Sequence, residues 1–136
     1  MNDLANSFFI AGAGMRVQGA RLRVISENLA NKDSTAQTPG GDPYRRKTIT
    51  FKNELDKALG ADLVTVNKIG EDMSDFSLEY DPGHPAANED GYYKRPNING
   101  LIEMMDMREA QRSYEANLSV IRATKTMVNN TINLLK

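Results

Sequence analysis

A chain of 136 residues suffices for one modest domain, and its formal net charge of −1 gives no sign of the basic excess that nucleic-acid-binding proteins show. The absence of cysteine excludes disulfides, thiolate metal ligands and a cysteine nucleophile. No apolar run approaches the ~18 residues of a membrane span, and the first residues lack the basic, apolar and small-residue parts of a secretory signal peptide. We therefore expect no nucleic acid as a partner and no cleaved signal peptide.

The first segment, residues 1–31, is predicted to form one long helix. Its seam positions recur in steps of alternately four and three residues, the spacing of a coiled-coil seam. These positions are Leu4, Phe8, Ala11, Met15, Gln18, Leu22, Ile25 and Leu29. Gly12, Gly14 and Gly19 each weaken the helix by roughly 0.5–1 kcal/mol relative to alanine, so we expect it to gain its order from packing.

The last segment, residues 100–136, is predicted to form a second long helix without proline. Asn99 is a candidate N-cap, and Glu103 in the first turn suits the helix dipole. Its seam positions are Met104, Met107, Gln111, Tyr114, Leu118, Ile121, Lys125, Val128, Ile132 and Leu135. Two long seams indicate a protein built to pack against other helices.

The central segment, residues 32–99, is predicted to consist of loops and short strands. Residues 32–43 are rich in loop-forming residues, and alternating or β-branched residues indicate strands at 44–52, 63–66 and 76–80. Residues 53–61 fit either a short helix or a loop. Turns are expected at 81–85, by proline and glycine content, and at Asp90-Gly91.

The predicted fold class is mainly α with a small β-rich insert. The long N- and C-terminal helices pair as an antiparallel coiled coil and form one helical layer, and the central segment contributes short strands and loops. The alternative is a self-contained α+β domain in which both helices fold onto the β region. The spacing of the apolar residues alone does not separate the two.

The sequence offers no catalytic constellation. The single histidine, His84, has no nucleophile or companion ligand spaced around it, so we interpret it as a turn residue. The acidic residues between 71 and 81 lack the order of a calcium loop and are interpreted as a solvated face. Arg45, Arg46 and Lys47 are interpreted as the charged edge of a strand. We predict no enzyme, cofactor, metal or small-molecule substrate.

Specific motifs add a family resemblance that covers nearly the whole chain. The stretch 26–31 (SENLAN), followed by Ser34-Thr35, resembles the N-terminal signature of bacterial flagellar rod and hook proteins. The stretch 80–88 (YDPGHPAAN), with 91–93 and 96–98, and the later stretch 113–117 (SYEAN) are similar to the proximal rod members of that family. Residues 53–62 match no motif, and their role stays open.

The resemblance implies a structural subunit of the proximal rod of the flagellar basal body, exported into the periplasmic space by the flagellar type III export apparatus and transmitting torque for motility. Its implied partners are other flagellar rod proteins, the rod adaptor, membrane ring proteins and copies of itself. The alternative from another class is a secreted helical adaptor or regulator that binds one partner through a coiled coil.

The resemblance also assigns roles to residues of this sequence. The expected assembly interface comprises Leu4, Phe8, Met15, Leu22, Ile25, Leu29, Tyr114, Leu118, Ile121, Val128, Ile132 and Leu135. The family-motif residues are Asn28, Asn31, Pro82, Gly83, Pro85 and Asn97. Of these, Asn28 and Asn31 are expected to cap the first helix or to fix the loop that follows it.

Overall fold

The computed structural model describes residues 2–136, which form two long helices and two small antiparallel sheets. The elements in chain order are α1 (Asn2–Ala30), β1 (Lys47–Asp56), β2 (Ala61–Glu71), β3 (Ser77–Tyr80), β4 (Tyr92–Arg95) and α2 (Gly100–Leu134). One sheet pairs β1 with β2 and the other pairs β3 with β4. The prediction of a mainly helical protein with a small β insert is confirmed. No helix of the described residues has both the length and the apolar character that a membrane crossing requires.

Local sequence explains most of the element boundaries. Asn99 is the N-cap of α2, because its Oδ1 accepts the backbone N–H of Leu101 at 3.1 Å and that of Ile102 at 3.4 Å. The region 53–61 is neither a helix nor a loop alone. It contains the end of β1 and the turn before β2, where Asp56 Oδ1 accepts the N–H of Ala58 at 2.9 Å and Gly60 has φ of 67°. Strand β4, which follows the Asp90-Gly91 turn, was not predicted.

The described residues form two compact units. Of the described residues, unit 1 comprises 2–22, 49–68 and 108–136, and unit 2 comprises 23–48 and 69–107. Unit 1 therefore contains most of both helices and most of the β1–β2 hairpin. Unit 2 contains the end of α1, the β3–β4 sheet and the first turns of α2.

Within unit 1, the segments of α1 and α2 run in opposite directions. Gly14 lies against the Asn117 side chain, and Arg21 Nη2 lies 3.4 Å from Glu109 Oε2. As the residue number rises from 14 to 21 in α1, the facing residue number falls from 117 to 109 in α2, so the two helices are antiparallel. The buried side chains of this unit are mostly small: Ala11, Ala13, Val17, Ala110 and Thr124. Small side chains allow two helices to approach closely. The knobs-into-holes packing of a true coiled coil stays a prediction.

The buried face of α2 differs from the predicted seam at three positions. Glu103, Ala110 and Thr124 are buried, whereas the predicted positions Met104, Gln111 and Lys125 are exposed. The predicted positions Met107, Tyr114, Leu118 and Ile121 are half-buried. At the three differing positions, the prediction missed that the small residues Ala110 and Thr124 and the paired carboxylate of Glu103 are the buried ones.

Unit 2 is held together by apolar packing and by buried polar groups. Its buried apolar residues are Val24, Ile25, Ala86, Ala87 and Tyr93. Strand β3 pairs with β4 in antiparallel register, so that Tyr80 lies opposite Tyr92. Gly91, at the preceding turn, has φ of 84°, and a Cβ there would lie 2.8 Å from the Tyr80 ring. Both the conformation and the space at position 91 therefore require glycine.

Candidate assembly surface

Unit 1 exposes a large set of apolar side chains near both ends of the chain. We name this set the terminal apolar surface; its members are Phe8, Phe9, Ile10, Val120, Met127, Val128, Ile132, Leu134 and Leu135. Phe8 is 44% exposed and Leu134 is 87% exposed. Of these residues, Phe8, Phe9 and Val128 line one groove, and exposed apolar patches mark interaction sites more often than ordinary surface.

A groove of about 380 Å³ lies within the same unit. Leu4, Ala5, Phe8 and Phe9 line it from α1, and Thr124, Lys125, Val128 and Asn129 line it from α2. The rings of Phe8 and Phe9 meet edge to face with centroids 5.7 Å apart, which fixes their orientation. Both terminal helices thus contribute side chains to this groove, and most of the apolar ones come from α1.

The structure places the predicted interface residues at three levels of burial. Ile25 is buried; Leu4, Met15, Leu22, Leu29, Tyr114, Leu118 and Ile121 are half-buried; Phe8, Val128, Ile132 and Leu135 are exposed. Side chains that one chain covers only in part are available to a second helical layer. Their role in an interface between subunits stays a prediction.

The motif residue Asn28 fixes the start of β1. The Asn28 side chain is buried. Its Nδ2 donates to Lys47 O at 2.9 Å and its Oδ1 accepts Lys47 N–H at 2.9 Å, so the amide pairs with both backbone groups of Lys47 as a neighbouring strand would. Lys47 also donates to Glu27 at 2.8 Å, and this hydrogen bond lowers the pKa of the Glu27 carboxyl. The end of α1 is thereby joined to the strand that begins the hairpin.

The motif residue Asn31 closes the end of α1. Its Nδ2 donates to Glu27 O at 2.8 Å, and its Oδ1 accepts the Ser34 hydroxyl at 3.0 Å. The Glu27 carbonyl also accepts the backbone N–H of Asn31 at 3.1 Å, so Asn31 engages this acceptor through both its backbone and its side chain. Asn31 therefore satisfies the helix terminus and orients the loop that follows.

The motif residue Asn97 joins two loops of unit 2. Its Oδ1 accepts the Arg46 N–H at 2.8 Å, and its Nδ2 donates to Asp72 O at 2.9 Å and to Ser74 Oγ at 3.1 Å. Both ends of the amide are thus engaged. A substitution by aspartate would remove every hydrogen bond that Nδ2 donates.

The segment around Pro82, Gly83 and Pro85 forms the predicted turn, since His84 N–H donates to Asp81 O at 3.0 Å. His84 stacks on Tyr93 with centroids 3.9 Å apart and accepts the Ala86 N–H on Nδ1 at 3.0 Å. These contacts assign His84 to the turn. Within the described residues, no three His, Asp or Glu side chains converge as metal ligands would.

Sequence reasoning missed the polar centre of unit 2. Arg45, Arg46 and Lys47 have internal partners and do not form a charged strand edge: Arg45 lies over the Phe76 ring at 4.1 Å, and Arg46 pairs with Glu103, whose side chain is 1% exposed. The only signal in the sequence was Glu103, an acidic residue on the apolar side of α2. Its place in the first turn also suits the helix dipole, so it gave no specific indication of a buried ion pair.

The contact between Gly14 and Asn117 provides a test of the helix pairing. A Cβ at position 14 would lie 2.6 Å from Asn117 Nδ2, so Gly14→Ala forces the Asn117 side chain to move. We therefore expect this change to raise the free energy of unfolding by less than the roughly 0.5–1 kcal/mol that alanine adds to a helix, or to lower it. In an Asn117→Ala background the same change is expected to raise the free energy of unfolding by the full amount, roughly 0.5–1 kcal/mol. Urea unfolding of the four proteins gives both values. If Gly14→Ala changes the free energy of unfolding equally with and without Asn117→Ala, the Asn117 side chain does not lie against position 14.

Comparisons with known proteins identify the class. Residues 89–134 match the family described as flagellar basal body rod FlgEFG protein C-terminal. The flagellar basal-body rod protein FlgC of Agrobacterium fabrum is 58% identical over 136 residues, which cover 100% of this chain and 98% of that protein. The FlgC proteins of Salmonella typhimurium and Bacillus subtilis are each 38% identical, over 96% and 90% of this chain and 97% and 92% of their own lengths.

These similarities define the class as structural proteins of the bacterial flagellum, not enzymes. Identity of this extent over the whole chain also decides the family. The chain belongs to the FlgC family of flagellar basal-body rod proteins.

Proposed function

We propose that this chain is a subunit of the proximal rod and assembles through its terminal helices to transmit torque. The observation that supports the proposal is the terminal apolar surface, which covers both ends of the chain and is exposed in the single subunit. Neighbouring subunits would remove this surface from water, at roughly 25 cal/mol for each Å² of apolar area buried. Stiffness would then come from many packed side chains and from no single strong bond.

The proposed partners are other flagellar rod proteins, the rod adaptor, the membrane ring proteins and further copies of the chain. The FlgC relatives are named as basal-body rod proteins, which supports a place among these components. We propose a periplasmic location, reached through the flagellar type III export apparatus. The adaptor alternative is not favoured, because the relatives match over nearly their whole lengths.

Deletion and complementation test this function. A strain that lacks the gene is expected to be non-motile and to yield basal bodies without a complete rod, and the full chain is expected to restore both. Electron microscopy of purified basal bodies and swimming assays provide the readouts. A complete rod in the deletion strain would contradict a structural role.

A second complementation tests the terminal apolar surface. Met127→Asp is expected to fail in complementation, because its carboxylate would be enclosed by a neighbouring subunit. Lys52→Asp, on an exposed position of the hairpin, is the control and is expected to complement. Circular dichroism of the purified variants verifies that both retain the helices. Normal motility of the Met127→Asp strain would contradict assembly through this surface.

A further inference from the structure

Glu103 carries a buried carboxylate that the chain satisfies only in part. Its side chain is 1% exposed, and its Oε1 accepts a hydrogen bond from Arg46 Nε. No donor among residues 2–136 reaches the other oxygen, Oε2, which is also buried. A buried carboxylate oxygen without a donor is uncommon in folded proteins and requires a partner from elsewhere.

The Arg46 guanidinium does not serve Glu103 alone. It also faces Asp72 at 3.5 Å and Asp106 at 3.9 Å. Hydrogen bonds from Ser74, first its backbone N–H and then its hydroxyl, lower the pKa of Asp72, and Arg46 adds to this effect. Asp72 is therefore ionised at neutral pH. Arg46 is thus shared with other carboxylates, and the second oxygen of Glu103 is left without a donor.

A cavity of about 260 Å³ opens beside this cluster. Arg46, Asp72, Asn97, Asn99, Ile102 and Glu103 line it, and we name it the Glu103 pocket. The amide of Asn97 and the Oδ1 of Asn99 are already engaged. A single water needs roughly 10–15 Å³ of such volume, so one water would leave the pocket largely unfilled.

One apolar side chain, Ile102, lines the Glu103 pocket, and it is 52% exposed. A long basic side chain fits such a site, because its methylene stem can lie against Ile102 while its cationic head enters beside Glu103 and Asp72. A guanidinium or ammonium head supplies the donors that Glu103 Oε2 lacks.

We propose that the Glu103 pocket receives an arginine or lysine side chain from a neighbouring copy of this chain. Charge complementarity supports that source: between residues 108 and 134, α2 exposes Arg108, Arg112, Arg122 and Lys125 but only two acidic residues, Glu109 and Glu115. A pocket on one part of the chain and a basic segment on another form a heterologous contact, which propagates along a filament. This choice of source rests on the proposed function, whereas the pocket's preference for a cation does not.

The first experiment tests the pocket on the purified full-length protein. Ethylguanidinium is titrated and followed by NMR, with ethylurea as the neutral control of similar shape. We expect saturable shifts at the amides of Asn97, Ile102 and Glu103 with ethylguanidinium alone. Glu103→Gln is expected to weaken binding by at least about tenfold, as loss of a charge-assisted hydrogen bond would, whereas Asp90→Asn, a remote acidic position, leaves it unchanged.

A second variant keeps this experiment decisive if Glu103→Gln does not fold. Asp72→Asn leaves the Arg46–Glu103 pair in place but reduces the excess of negative charge, so we expect several-fold weaker binding of ethylguanidinium. Equal responses to ethylguanidinium and ethylurea, or shifts that do not saturate, would mean that the pocket holds only water and would overturn the proposal.

The second experiment identifies the source of the cation. Ile102→p-benzoylphenylalanine is introduced in cells that assemble basal bodies, with the same replacement at Lys52 as control. Light is expected to join position 102 to a second copy, within residues 108–125, as read by mass spectrometry. Crosslinks only to a different protein would overturn the choice of a second copy and leave the rod function intact. Absence of the chain from basal bodies would overturn the rod function and leave the ethylguanidinium result standing.

Discussion

Replacing Arg46 by alanine is expected to lower the free energy of unfolding by about 3–5 kcal/mol, because it leaves the buried carboxylate of Glu103 without its partner. A loss of this size is a large fraction of the stability of a domain of this length. Urea unfolding followed by circular dichroism measures it. The same variant is expected to fail in complementation of motility at elevated temperature, before it fails at low temperature.

The control for this prediction is Arg95→Ala in the same unit. Arg95 also pairs with two carboxylates, Glu79 and Asp33, but their side chains are 49% and 67% exposed. Water therefore replaces the lost partner, and a much smaller loss of stability is expected. Equal losses for Arg46→Ala and Arg95→Ala would show that the environment of Glu103 is not decisive.

Introducing a carboxylate at Ala110 is expected to unfold the helical part of unit 1 and to abolish motility. Ala110 is 0% exposed, and an unpaired charge at such a position costs several kcal/mol, on the order of the stability of the unit. The change Gln111→Asp, one residue later on the exposed side of α2, is expected to retain the fold. Circular dichroism and swimming assays on the two variants measure the difference.

This pair of variants also distinguishes the two registers of α2. The spacing in the sequence placed Gln111 on the seam, whereas the structure buries Ala110. Loss of helix and of swimming in Gln111→Asp, with both retained in Ala110→Asp, would support the register predicted from sequence.

Both helices were predictable from sequence because their signals are local. The apolar repeat extends over many turns, Asn99 is an N-cap that acts on its own neighbours, and the predicted ends at residues 31 and 136 differ by one and two residues from the observed ends at Ala30 and Leu134. Interactions within a few residues of one another carry this information.

The polar centre of unit 2 was not predictable for the opposite reason. Arg46 and Glu103 are 57 residues apart in sequence, and nothing in the local pattern of either residue indicates the other. The register of α2 failed similarly, because burial depends on how closely α1 approaches, and small residues such as Ala110 give no strong apolar signal. Strand β4 is short and charged, and it is defined by its pairing with β3.

The terminal apolar surface connects the structure to assembly. Its members are exposed although the helices that carry them are long and well formed. Helices are stabilised mainly by tertiary packing, so neighbouring subunits would complete what one chain leaves uncovered. The two sheets also expose apolar side chains, among them Leu55, Leu78 and Tyr80. We expect the assembly contacts on the helices because the groove beside Phe8 and Phe9 lies between them.

The most direct test is an electron-microscopy map of the isolated basal body at a resolution that shows side chains. We expect density for this chain within the rod, with Phe8, Met127 and Ile132 enclosed by helices of neighbouring subunits. The exposed hairpin residue Lys52 is expected to lie outside those helical contacts. Terminal helices that touch no neighbouring subunit, with contacts made by the central segment alone, would contradict assembly through the terminal helices.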